Sequence, residues 1–428
     1  MKSTLARILA IALAVVLLPA AASATNGYFT HGVGLKAKAM GGASLAYPQD
    51  ALIAGTNPAG MAFIGDRFDI GVDLFRPDRG SEVVGHPQAD GAYDANDTEN
   101  FFMPELGYSR TVGENLTLGL SVYGHGGMNT SYTTPIPLFD GRPSGAENAG
   151  VDLAQMFIVP SVAMKLSDDH AVGLGVNVVW QRFKAEGLFN FTAVDSTGMP
   201  MFSSDPENLT DNDYSSATGF GVRAGWLGHF GDMLAVGASY QSRTFMSEFE
   251  EYAGLFAEAG DFDIPTNYGV GIALMPAEGL VIAADVTQTL YSEINSVANP
   301  LLPNLFQSPL GTDDGAGFGW EDVTVVKVGA AYDVMPGLTL RGGYNYGGQP
   351  IPADETLFNM IAPGVVEHHI TFGGTYAVSQ SVEVTFAYMH AMENTVEGED
   401  SIPAPFGGGN ADLTMSQNSF GLGVGMVF

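Results

Sequence analysis

From about Phe68 to Phe428, apolar residues alternate with small or polar ones over stretches of ten to fifteen residues. The last stretch shows the period most plainly: Phe420, Leu422, Val424, Met426 and Phe428 share one parity, Gly421, Gly423, Gly425 and Val427 the other. Successive side chains of a strand point to opposite faces, so this period predicts strands with one greasy face and one small or polar face. The split recurs at Val172, Leu174, Val176, Val178 and Trp180 against Gly173, Gly175, Asn177 and Gln181. It recurs again at Phe220, Val222, Ala224 and Trp226 against Gly219, Gly221, Arg223 and Gly225. Six very short turns punctuate the pattern, at Gly113-Glu114-Asn115, Ser167-Asp168-Asp169, Gly231-Asp232-Met233, Pro276-Ala277-Glu278-Gly279, Met335-Pro336-Gly337 and Ser379-Gln380-Ser381. Seven long connections interleave with them, near 80–100, 133–152, 189–214, 250–265, 295–320, 352–366 and 395–411. Thirteen connections join fourteen strands, and an even number returns the chain to its starting side, as single-chain outer-membrane barrels require. The prediction is an all-β, 14-stranded antiparallel transmembrane β-barrel with periplasmic turns and extracellular loops.

The first residues set the compartment. Lys2 and Arg7 precede the apolar run Ile8–Leu18, and Ala22-Ser23-Ala24 fits a secretory cleavage site, so residues 1–24 read as a signal peptide. No later segment offers ~20 consecutive apolar residues, so a spanning helix is excluded and the membrane is crossed as a barrel. With Lys2 and Arg7 gone, 16 − 2 = 14 basic residues face 47 acidic ones, a net charge of −33 that argues against nucleic acid. The chain has no cysteine, which removes disulfides and thiol chemistry and suits an oxidising periplasm. A soluble secreted propeller or sandwich has a similar mean composition; the parity of the strands, not their average, favours the barrel.

Tyr108, Tyr240, Tyr332, Tyr376 and Tyr388 fall near strand ends on the apolar parity, where amphipathic rings prefer the membrane interface. A terminal phenylalanine, Phe428, on that parity resembles the end signal read by the barrel-assembly machinery. The inward parity carries Arg223, Asp285, Lys327, Arg341 and Glu383. On the lipid face each charge would cost ~2–4 kcal/mol at mid-membrane, so they belong to the lumen. There they serve as a salt-bridge belt, receive a carboxylate headgroup, or clamp a plug.

Residues 25–66 do not alternate and are rich in small residues, with Gly32-Val33-Gly34, Ala37-Lys38-Ala39-Met40-Gly41-Gly42 and Asn57-Pro58-Ala59-Gly60 among them. A fourteen-strand lumen is too wide for side chains alone to fill, so this segment is expected inside it. Two glycines without a third or a βαβ unit exclude a nucleotide fold. Over nearly the whole mature chain, through this segment, Asn57-Pro58-Ala59, the strand number and Phe428, the protein resembles the FadL-like outer-membrane transporters of long-chain fatty acids and aromatic hydrocarbons (OMPP1/FadL/TodX type). The resemblance implies an N-terminal hatch, with Asn57, Pro58 and Ala59 as its motif and Thr25 to Phe29 reaching a ligand pocket. It also implies an inward kink in the third strand, placing a lateral gap at Gly124, Gly126 and Gly127. The barrel proper is then 67–428.

Extracellular loops should be polar, yet the third long loop holds Phe189, Phe191, Met199, Met201, Phe202 and Leu209. The fourth holds Phe249, Tyr252, Leu255 and Phe256, spaced as one face of a short helix within 250–260. Such residues cap the barrel, bind an apolar ligand, or do both; in the resembling family they shape a capture groove. Candidate ligand-binding residues are therefore Phe29, Phe202, Phe249, Leu255, Phe256, Arg223, Lys327 and Arg341. Catalysis is not expected. No histidine is followed two residues on by serine, Asp168-Asp169-His170 lies in a periplasmic turn, and adjacent His368 and His369 must face opposite ways. Asp313-Asp314 and Glu399-Asp400 have the chemistry to hold divalent cations near lipopolysaccharide, but read first as solvated loop charge. No cofactor or metal is implied. The expected protein is a monomer surrounded by outer-membrane lipid and lipopolysaccharide. It takes up a hydrophobic ligand, fatty acid first and monoaromatic hydrocarbon second, with a passive porin or structural barrel as the rival class.

Overall fold

A computed structural model describes residues 26–428; the expected signal peptide, 1–24, and Thr25 lie outside the described residues. Sixteen strands form one antiparallel sheet, and the last pairs with the first to close it. Two of the sixteen are short: Gly91–Asp94 pairs back on residues 80–83, and Phe245–Met246 pairs with Gly219 and Phe220. The remaining fourteen make a closed barrel. They are β1 Arg67–Val84, β2 Phe101–Val112, β3 Leu116–Ser131, β4 Gly150–Lys165, β5 His170–Glu186, β6 Ser215–Phe230, β7 Leu234–Gln241, β8 Asn267–Ala277, β9 Leu280–Thr289, β10 Val323–Met335, β11 Leu338–Gly347, β12 His368–Ser379, β13 Val382–Val396 and β14 Asn410–Val427. Each of the six predicted turns joins an even-numbered strand to the next by a tight reversal. Gly113, Gly231, Gly279 and Gly337 sit at positive φ in four of them.

The two-residue period decides which face meets lipid. Along β5, Leu174 and Val176 are exposed while Gly173, Gly175, Asn177 and Gln181 are buried, and β14 splits in the same way. An apolar surface of this kind is paid for by lipid rather than by water. Tyr108, Tyr240, Tyr332 and Tyr376 are exposed on the outer face, and Phe428 lies against Tyr108 with ring centroids 6.3 Å apart.

Residues 26–66 fill the lumen. They contain one helical turn, α1 Leu35–Lys38, and two 3-10 turns, Ala51–Gly55 and Pro58–Phe63. The wall's inward glycines form the floor on which this plug rests. A Cβ at Gly225 would land on the Asn57 amide oxygen, and one at Gly173 on the Ala59 nitrogen.

The fourth loop differs from the expected helix. Its residues 249–260 form a 3-10 turn at Glu250–Tyr252 and a separate turn at Ala257–Gly260, with Glu258 and Ala259 left-handed at φ 55° and 57°. The reason is tertiary: Phe249 N–H donates to the Gly260 carbonyl and Ala259 N–H to the Gly311 carbonyl, closing the segment on itself and on the fifth loop. Phe249, Tyr252 and Phe256 are nevertheless all buried.

Candidate functional site: two chambers, a strap and a break in the wall

The plug body is held by the wall's carboxylates. Asp73 accepts from Lys38 at 2.7 Å, Glu383 from Lys36 and Arg67 at 2.6 Å each, and Asp69 from Arg67 at 2.6 Å. Glu105 accepts the Leu35 N–H at 3.0 Å, Asp69 the Ala51 N–H at 2.9 Å, and Asp285 those of Ser44 and Leu45 at 2.7 and 3.0 Å. Asp285 and Lys327 face each other in register, but among the described residues no ion pair joins Asp285, Lys327 and Arg341. Arg341 instead donates to Gln49 of the plug at 2.7 Å and to Thr375 at 2.8 Å. Asn57 caps the second 3-10 turn, accepting from Ala59 N–H at 3.2 Å, while its amide donates to the Leu45 carbonyl at 2.7 Å and the Trp226 carbonyl at 3.1 Å. Pro58 starts that turn, where its missing N–H costs nothing.

Above the body, residues 26–30 make a strap across the lumen. Thr30 N–H donates to the His125 carbonyl at 2.8 Å, Gly127 N–H to the Tyr28 carbonyl at 3.1 Å, and Tyr291 O–H to the Asn26 carbonyl at 2.6 Å. The strap's partner is β3, and β3 is broken here. Pairing between β2 and β3 ends at Glu105 and Tyr123, leaving 101–104 and 124–130 without each other. Pro104, the next residue of β2, has no N–H to extend the ladder. On the other side, the β3–β4 register slips between Gly124 and Gly126, a bulge at His125. Gly126 is required: a Cβ would strike the Tyr28 carbonyl. The opening is closed at its extracellular end, where Ser131 N–H donates to Ala95 and Asp97 N–H to Ser131, at 3.1 and 3.0 Å.

Two cavities lie within the barrel, one among the loops and one against the strap. The outer one is lined by Phe139, Phe183, Leu188, Phe191, Leu255, Phe256, Phe318 and Phe358, with no charged side chain. The inner one is polar, with Phe29, Thr30, His125, Arg223, Gln241, Thr287 and Lys327 on its walls. Arg223 donates to the Thr56 carbonyl, to Tyr123 and to Gln241. Among the described residues neither Arg223 nor Lys327 has a carboxylate within ion-pair reach. Both ring nitrogens of buried His125, Arg223 Nε, Gln241 Nε2 and Asn26 Oδ1 find no hydrogen-bond partner among the described residues. Tyr28 reaches the other way, its ring 5.2 Å from Tyr291 and 5.8 Å from Trp320. In the fourth loop Asp261, set in a half-buried site beside Asp263, is pushed upward in pKa by burial and by that second carboxylate.

Of the residues singled out from sequence, Leu255 and Phe256 line the outer cavity, and Phe29, Arg223 and Lys327 the inner one. Phe249 packs behind the outer cavity against Phe183 at 5.7 Å, and Phe202 caps the loops against Phe406 at 5.4 Å. Arg341 touches neither cavity. Phe183, Tyr291, Phe318, Trp320 and Phe358 were not anticipated. The rule that exposed the third and fourth loops, apolar residues where polar ones belong, applies equally to Phe318, Trp320 and Phe358 in the fifth and sixth.

The family model "Outer membrane protein transport protein (OMPP1/FadL/TodX)" matches residues 11–428. No curated protein sequence matches. Solved structures with this fold include the P. putida toluene transporter TodX, at 18% identity, TM-score 0.67, covering 93% of this chain and 99% of that one. The Ralstonia pickettii toluene transporter TbuX gives the same four values, 18%, 0.67, 93% and 99%. A Pseudomonas aeruginosa FadL homologue is 17% identical at TM-score 0.69, covering 94% and 100%. With a closed 14-strand barrel and a family match over nearly its whole length, the chain belongs to the OMPP1/FadL/TodX family of outer-membrane transporters of hydrophobic compounds.

Proposed function

We propose that the protein admits long-chain fatty acids by capture in the outer apolar cavity, passage beneath the strap with the carboxylate held by Arg223 and Lys327, and lateral exit through the β2–β3 opening. The single observation that carries the reading is the pair of cations without carboxylate partners beside a strap that takes the place of β2 on the free edge of β3. Partitioning supplies the driving force, because an apolar chain moves from one greasy surface to the next without crossing water. In this mechanism Asn57, Pro58 and Ala59 fix the hatch, and Gly124, Gly126 and Gly127 let β3 turn away from β2. The uncharged outer cavity favours a second reading, uptake of monoaromatic hydrocarbons, which need no cation.

The test is uptake of labelled oleate and labelled toluene by cells carrying the Arg223→Met/Lys327→Met variant. A lost charged hydrogen bond is worth ~1.5–3 kcal/mol, so oleate uptake falls at least about tenfold while toluene uptake is unchanged. Equal loss of both, or no loss of oleate, refutes the carboxylate assignment. A large steady current in planar bilayers refutes transport in favour of a porin.

A further inference from the structure

A third, small cavity lies against the inner wall beside the β2–β3 opening, lined by Phe75, Arg79, Met128, Asn129, Trp320 and Met415 among others. Arg79 is its one charged residue, and its chemistry is unusual. It is 2% exposed on the inward parity of β1. Its guanidinium donates to Asn129 Oδ1 at 2.7 Å and to the Asn129 carbonyl on β3, to the Thr98 carbonyl at 2.5 Å just before β2, and to Asn96 Oδ1 at 3.4 Å. All four acceptors are neutral, and Asp78, next in sequence, is exposed on the opposite face. Arg79 makes no ion pair among the described residues. Buried cations are ordinarily paired with an anion, because a neutral acceptor does not cancel the charge. The acceptors Thr98 and Asn129 also stand on the two edges of the opening. A cation with no carboxylate in ion-pair contact therefore sits at the head of the break, over a cavity whose other walls include thioether, phenyl and indole.

We infer that this cavity is a second anion-accepting station, distinct from the Arg223/Lys327 chamber, which takes the carboxylate of a long-chain amphiphile at Arg79 while its chain lies along Phe75, Met128 and Met415. The inference rests on the transport reading above and deepens it: the head is held at the extracellular end of the opening while the chain enters the membrane. The guanidinium has five N–H groups and four acceptors now bound, which leaves one Nη2 N–H to donate to a carboxylate.

Trp320 provides the readout. The chain has three tryptophans, and Trp180 and Trp226 lie on the outward parity. In purified Trp180→Phe/Trp226→Phe protein the only indole is the one lining this cavity. Titration with 9,10-dibromostearate quenches it by short-range contact, and the midpoint rises at least tenfold in Arg79→Met. The methyl ester of the same acid, which has the chain without the charge, gives one midpoint in both proteins. Heat-modifiable gel migration reports whether the barrel is folded. Should Arg79→Met not reach that state, Arg79→Lys supplies the comparison, with the acid shifted and the ester not. Absence of quenching by either probe, acid and ester midpoints that shift together, or an acid midpoint insensitive to Arg79 overturns the station. Those outcomes alongside oleate uptake that still depends on Arg223 and Lys327 refute the station alone. Arg79-dependent quenching alongside oleate uptake indifferent to Arg223 and Lys327 refutes the earlier assignment instead.

Discussion

Replacing Phe29 by alanine tests how tightly the strap is held. The Phe29 ring is 5% exposed and meets His125 at 4.3 Å, Tyr28 at 5.4 Å and Tyr291 at 5.9 Å. Burying such a ring is worth ~3–5 kcal/mol. The hydrogen bonds to Thr30, Tyr28 and Asn26 add ~0.5–1.5 kcal/mol each, or roughly 2–5 together. Against this stands the ordering of residues 26–30, at about 1–2 kcal/mol each and so roughly 5–10 in all. The two sides nearly cancel, which is what a gate requires: closed at rest, yet opened by a modest ligand. Losing about 3 kcal/mol from the closed side moves the closed-to-open ratio by about a hundredfold. Hydrogen exchange reads this directly, since the amides of Thr30 and Gly127 are closed only by the strap's bonds. In Phe29→Ala both exchange faster, by up to about a hundredfold, while amides of the plug body such as Ser44 and Ala51 keep their wild-type rates. Unchanged exchange at Thr30 and Gly127, or equal acceleration throughout the plug, refutes the argument that the strap moves independently.

Three further outcomes follow from the same geometry. Lys38→Met leaves Asp73 and Glu105 buried without their cation and costs ~3–5 kcal/mol, seen as a lower melting temperature that Lys38→Met/Asp73→Asn partly restores. Gly225→Ala drives a methyl into the Asn57 amide and costs ~1–3 kcal/mol of overpacking, detected as faster proteolysis between residues 57 and 63. Glu355, buried in the sixth loop with Leu301 N–H at 2.7 Å, is raised by burial from an ordinary 4.5 to about 7. An acid raised in the folded state binds its proton more tightly there, so docking of the fifth and sixth loops is strongest below about pH 4.5. It weakens as pH rises towards 7, by on the order of 2 kcal/mol after solvent screening. Glu355→Gln, which keeps the acceptor for Leu301, removes the pH dependence of loop proteolysis measured between pH 5 and 8.

The barrel was legible because lipid imposes parity on every strand, and the turns because tight reversals need glycine, proline or polar residues. Parity says that Gly173, Gly225 and Gly329 face inward, but not what they face. The same glycine serves a water-filled lumen and the floor beneath a plug, and only the packing of Ala59, Asn57 and Met40 distinguishes them. The inward charges show the same limit. Arg223 and Arg341 are alike in sequence position, yet one borders a cavity while the other is spent on Gln49 and Thr375. That assignment depends on partners hundreds of residues away. The break in the wall left half a signal: Gly124-His125-Gly126-Gly127 stood out in β3, whereas Pro104 on the facing strand, read alone, looks like any proline tolerated in a sheet.

The distribution of bonds bears on which way a ligand leaves. To open along the barrel axis, the plug body would have to release Asp69, Asp73, Glu105, Asp285, Glu383 and Arg341, on strands spread around the circumference. Several of these are buried ionic contacts, and breaking one while its partner stays buried costs ~3–5 kcal/mol, so releasing all of them exceeds what one ligand supplies. The strap, by contrast, is near balance. Its release frees the edge of β3 beside the stretch of β2 that has no ladder to break. The cheapest displacement in the molecule therefore exposes the side of the barrel rather than its end. An apolar molecule that leaves by that side stays in hydrocarbon, whereas one that leaves by the end must enter water at ~0.8 kcal/mol per methylene. Both considerations, the bonds to be broken and the solvent to be entered, favour the lateral route, and both depend on the body of the plug staying where the wall's carboxylates hold it.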